Sequence, residues 1–116
     1  MNLEQLKSLA VSAIEDLKAK DIKVLDVTSL TDVTDSMIIC CGTSNRHTRA
    51  IAENLVLKLK ENGIRPIGVN GEDSGEWILV DVGDIIVHIM LAETREYYDL
   101  DALWEMTSER LERNAN

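Results

Sequence analysis

Residues 77–90 read Trp-Ile-Leu-Val-Asp-Val-Gly-Asp-Ile-Ile-Val-His-Ile-Met, and no other stretch constrains the fold as much. Gly83-Asp84 is a two-residue hairpin turn of the Gly-first kind, set between two apolar runs, Trp77–Val82 and Ile85–Met90. That turn sets the register. Val82 faces Ile85, Val80 faces Val87, and Ile78 faces Ile89. Side chains alternate along a strand, so these residues share one face. All are β-branched and apolar, so that face is core and must be covered. The other face pairs Asp81 with Ile86, Leu79 with His88, and Trp77 with Met90. It mixes apolar bulk with an acid and an imidazole. Either a helix caps it or a partner does.

A covering layer is available upstream. Asn2 followed by Gln5 forms a capped helix start, and Leu3, Leu6, Ala10, Ile14 and Leu17 follow helical spacing on one face. Ser44 caps a second helix through about residue 62, with Ile51, Ala52, Leu55 and Leu59 inward and Gly63 as its stop. Ile22–Val27 and Met37–Cys41 read as strands, the second short, apolar and buried. A further strand begins at Pro66 and runs to residue 70. The turn-rich run 71–75 then leads into the hairpin. From Glu93 the Leu-punctuated tail is helical. Asp99 either caps a new turn at Leu100 or lies within one bent helix. The order is αββαβββα, which implies an α/β fold of the α+β kind, a mixed sheet with helices packed on it.

The 116 residues fit one domain, 1–116, and 45% of them are hydrophobic, enough for a core without metal or disulfides. Cys40 and Cys41 are adjacent, point to opposite strand faces, and read as two reduced, buried thiols. Two cysteines and two histidines, His47 and His88, without ligand spacing give no zinc site. The N-terminus has neither a basic region nor a long apolar run, so a cytoplasmic chain without a membrane span is expected.

The net charge is −9, and residues 1–70 balance nine acids against nine bases. The whole excess therefore lies in residues 71–116, with twelve acids against Arg95, Arg110 and Arg113. A nucleic-acid reader carries the opposite sign. Such a half is either a solvated, solubility-giving surface or one drawn to a basic protein.

The runs IICCGTSNRHTRAIAENL, GVNGEDSGEWILVDVGDIIVHIM and REYYDLDALW resemble the Iojap family, also called ribosomal silencing factor S. The resemblance spans roughly residues 5–104, and the three elements occur in the same order and spacing. It implies a nucleotidyltransferase-like fold. It also implies a function: binding the large ribosomal subunit through large-subunit ribosomal protein fourteen, hindering subunit joining, and repressing translation under nutrient limitation. The resemblance further implies a homodimer off the ribosome. The acidic half fits docking on a basic ribosomal protein, with little direct RNA contact.

A nucleotidyltransferase-like fold raises an alternative, an enzyme or nucleotide-binding protein. That chemistry needs a Gly-Ser pair for phosphates and acids one residue apart on a strand for two metal ions. Gly42-Thr43-Ser44 stands where the first belongs. The second is missing, since Asp81 and Asp84 span a turn and Asp99 and Asp101 fall in the helical tail. No catalytic residue, cofactor site or metal site is therefore assigned. Arg46, His47 and Arg49 open the second helix, either as an anion site or as exposed and salt-linked side chains. Glu105, Glu109 and Glu112 read as a solvated helix face. The expected partner-binding residues are Trp77, Leu79, Asp81, His88 and Met90 of the hairpin's mixed face, continued by Tyr98 and Leu100.

Overall fold

A computed structural model describes residues 1–102. The elements run α1 (Leu3–Asp16), β1 (Lys20–Asp26), β2 (Ser36–Gly42), α2 (Asn45–Glu61), β3 (Gly68–Asn70), β4 (Trp77–Asp81), β5 (Ile85–Leu91) and α3 (Ala92–Tyr98). This is the αββαβββα order. In the tail, Asp99 adopts the left-handed conformation at φ 50° and ends α3, and helix resumes at Leu100. Among the described residues the tail therefore breaks at Asp99 and is not one continuous bent helix. Trp104, Glu105, Glu109 and Glu112 lie outside the described residues.

The five strands form one mixed sheet in the order β1-β2-β5-β4-β3. β2 and β5 run parallel, and the other neighbours pair antiparallel. β2 lies second from the edge and all seven of its residues are buried. The β4–β5 register is the one the turn dictates, Val80 opposite Val87, Ile78 opposite Ile89 and Trp77 opposite Met90. The Val82 N–H donates to the Ile85 carbonyl at 2.9 Å and closes the turn.

α1 and α2 cover the β-branched face. Ile14, Ile51, Leu55 and Leu59 meet Ile38, Ile78, Val80, Val87 and Ile89 in the main core, all with no exposed surface. Both helices end in Schellman motifs. Lys18 and Ala19 donate to Glu15 and Ile14, and Gly63 and Ile64 donate to Lys60 and Leu59. Glycine takes the left-handed position in α2, but Lys18 takes it in α1 at φ 61°.

Two strand starts lie two residues away from the sequence reading. β1 begins at Lys20, because Asp21 at φ 51° forms an irregularity that lets the strand start earlier. β3 begins at Gly68, because Pro66 has no N–H and only from Ile67, bonded to the Asp81 carbonyl at 2.7 Å, does pairing start.

Candidate docking face built on the hairpin

Among the described residues the sheet's second face carries no long helix. A smaller core sits there, made of Val27, Met37, Ile39 and Met90, with Leu25, Leu30, Trp77 and Leu100 packed against it. The segment after β1 and the Leu100 turn supply its cover. Alternation places Trp77, Leu79 and Asp81 of β4 on this face beside Ile86, His88 and Met90 of β5.

Trp77 is half-buried, and its ring is fixed from two sides. Its indole Nε1–H donates to His88 Nδ1 at 2.9 Å. The Tyr98 ring packs on it with centroids 4.9 Å apart, tilted by 51°. Tyr97 meets Tyr98 edge-on at 5.0 Å. Tyr98 and Tyr97 are 54% and 82% exposed, so α3 lifts two aromatic rings into solvent beside the indole. Leu79, Asp81 and Ile86 continue the face, all half-buried. Asp81 also works inside the turn, where one carboxylate oxygen accepts the Gly83 N–H at 2.9 Å.

Two expected contact residues are not at the surface. Met90 has no exposed area, because Trp77, Leu100 and the small core close over it. His88 is 6% exposed. It supports Trp77 from within the sheet. Since Nδ1 accepts the indole proton, Nε2 carries the imidazole's own hydrogen, and among the described residues Nε2 has no partner. Burial pushes the His88 pKa down to about 4, so the ring is neutral at cellular pH. Trp77, Leu79, Asp81, Tyr98 and Leu100 remain on the accessible face.

Sequence reasoning missed Arg95 and Asp101. Arg95 Nε and Nη2 grip the two Asp101 carboxylate oxygens at 3.1 and 2.7 Å. Its Nη1 donates to the Asp21 carbonyl at 2.6 Å and lies 3.4 Å from Cys41 Sγ. The Arg95 guanidinium holds the Asp101 carboxyl below its ordinary pKa. The signal was present as Arg95-x5-Asp101, but the left-handed Asp99 that folds the two together is not readable from spacing.

His47 and Arg49 of the second helix's opening turn are engaged within the fold. His47 Nδ1 accepts the Thr43 N–H at 2.9 Å, and Nε2 meets the Leu17 carbonyl at 2.6 Å. His47 therefore ties the start of α2 to the open C-terminal carbonyl of α1. Arg49 donates to the carbonyls of Glu72 and Asp73 at 2.8 and 2.7 Å, pinning the 71–75 loop. Gly42-Thr43-Ser44 is likewise used within the fold. Ser44 Oγ accepts the His47 N–H at 3.0 Å, and a Cβ at Gly42 would lie 2.7 Å from Thr48 Cγ2.

A family model, ribosomal silencing factor during starvation, matches residues 1–116. The chain belongs to the ribosomal silencing factor family. It is 47% identical over 104 residues to the ribosomal silencing factor of Chromobacterium violaceum, covering 90% of this chain and 85% of that one. With the Bacillus subtilis factor of the same name the identity is 38% over 104 residues, covering 90% and 88%. A mouse relative, named mitochondrial assembly of ribosomal large subunit protein 1, is 37% identical over 103 residues, covering 86% of this chain and 45% of its own length. A crystal structure of a Chromobacterium violaceum protein superposes with a TM-score of 0.89 at 47% identity, covering 90% of this chain and 88% of the other. The two bacterial relatives are thus named for ribosomal silencing, and the mouse one for assembly of the large ribosomal subunit. Among the described residues no helix is long and apolar enough to cross a membrane.

Proposed function

We propose that residues 1–116 act as one ribosomal silencing domain that docks on the large ribosomal subunit through large-subunit ribosomal protein fourteen. Docking there hinders joining of the small subunit and represses translation when nutrients are short. The contact face is Trp77, Leu79, Asp81, Tyr98 and Leu100, with His88 and Met90 as its support. The chain works in the cytoplasm by binding and not by catalysis, makes little direct RNA contact, and pairs as a homodimer off the ribosome.

One observation carries this reading. The sheet face that α1 and α2 leave uncovered presents a half-buried, orientation-fixed tryptophan beside an exposed tyrosine. Rigid aromatic anchors of this kind dominate protein interfaces, because little rotamer freedom is lost on binding. The acid at Asp81 and the acidic balance of residues 71–116 favour a basic protein over RNA. The family supplies the ribosome.

The test is Trp77→Ala with purified large subunits. Removing a central ring costs on the order of 2–4 kcal/mol of binding, a loss of roughly thirtyfold or more. Co-sedimentation should therefore vanish at concentrations that saturate the wild type, while the circular dichroism spectrum stays native. Binding at wild-type strength would remove this face from the account.

A further inference from the structure

α3 spans seven residues, and none of them is buried. A helix this short has little stability of its own, since helices under about 12 residues are marginal in water. It has no apolar stripe sunk into the core to hold it. Yet α3 and the turn after it place Tyr98 against Trp77 and Leu100 against the small core. A polar clamp spans the same turn.

Arg95 supplies its cation. Its side chain is 15% exposed, and that of Asp101 is 19% exposed. Its fork closes across the Asp99 reversal onto Asp101, and its third nitrogen reaches the Asp21 carbonyl and the Cys41 sulfur. Lys23 of β1 adds a second cation 3.9 Å from the same Asp101 oxygen. One guanidinium thus joins α3, the Leu100 turn, the irregular start of β1 and the end of β2. A bidentate pair fixes orientation as well as distance, which a lysine cannot reproduce.

We propose that Arg95 is the positioning residue of the docking face: clamped between Asp101 and the β1–β2 edge, it holds Tyr98 and Leu100 in their binding arrangement beside Trp77 before any partner arrives. This rests on the docking reading for its consequence, but the arrangement itself is a property of the free chain. Affinity for a partner that needs the held form scales with the fraction of chains that hold it. Losing the clamp therefore slows productive association, and contacts made after docking are unchanged.

The experiment uses the full chain carrying Trp104→Phe, so that Trp77 is the one indole. Arg95→Met, Arg95→Lys and Asp101→Asn are compared by nuclear Overhauser contacts between the Trp77 and Tyr98 rings. Association with purified large subunits is then timed. The Met and Asn variants should keep the far-ultraviolet spectrum, lose the ring contact, and associate roughly tenfold more slowly, as a fall of the held fraction to about a tenth requires. Arg95→Lys should fall between them and wild type. The Arg95→Met/Asp101→Asn double variant should lose clearly less than the sum of the two single losses, because both break the same bidentate pair. An intact ring contact in Arg95→Met overturns the proposal whatever the ribosome does. So do additive losses in the double variant. A lost ring contact with unchanged association would keep the clamp and sink the docking face instead.

Discussion

His88 lies buried within the sheet, opposite Leu79 and against the Trp77 indole. Its strand position and its neighbour Leu79 follow from the Gly83-Asp84 turn. Its burial does not, because that depends on what lies over the sheet. The imidazole sits 5.8 Å from the indole, centroid to centroid, and accepts its proton. Burial pushes its pKa down to about 4. The unfolded chain, with an ordinary value of about 6.5, therefore takes up a proton first as pH falls. The stability tied to neutral His88 is fully present above about pH 6.5 and is lost as pH falls towards about 4, in total on the order of 3 kcal/mol. Urea unfolding of wild type and His88→Gln near pH 7 and near pH 4.5 should show wild type losing about 2 kcal/mol more across that interval. Equal pH slopes would mean that the ring is not held neutral.

At the scale of elements, local chemistry and long-range cover were unequally legible. The hairpin register was readable because a two-residue turn leaves no freedom, and α2 was readable because Ser44 and Gly63 mark its ends. The αL positions at Lys18 and Asp21 were not, since neither residue is the glycine that ordinarily marks them. Met90 was read as surface because the residues that cover it, Leu30 and Leu100, lie 60 residues upstream and in the following turn. Arg49 was read as a possible anion ligand, yet carbonyls of a loop 23 residues away claim it. That loop leads directly into Trp77, and at Gly71, φ 91°, a Cβ would fall 2.0 Å from the Trp77 carbonyl oxygen. Arg49→Met should therefore speed amide exchange through residues 71–76 while costing only about 1–2 kcal/mol of global stability. Exchange rates there unchanged from wild type would show that Gly71 and the Thr48 hydroxyl, which donates to the Gly75 carbonyl, hold the loop without Arg49.

The whole molecule divides its charge unevenly, with the full −9 carried by residues 71–116. If that half meets a basic protein, encounter is steered electrostatically. Screening at physiological salt acts beyond about 8 Å, so only acids near the contact matter once docked. Asp99→Asn should lower the association rate on purified large subunits, and Trp77→Ala should chiefly raise dissociation, because an anchor governs release. The wild-type association rate should fall as salt rises. A rate indifferent to salt would assign the acidic half to solubility alone and leave the aromatic face untouched.

Those charges and rings matter only if the chain meets the ribosome at all. Sucrose-gradient fractionation of a lysate containing the tagged chain tests that most directly. The account predicts that the chain travels with the free large subunit, and that free subunits accumulate at the expense of joined ribosomes. A chain that stays at the top of the gradient, with joined ribosomes undiminished, would contradict it.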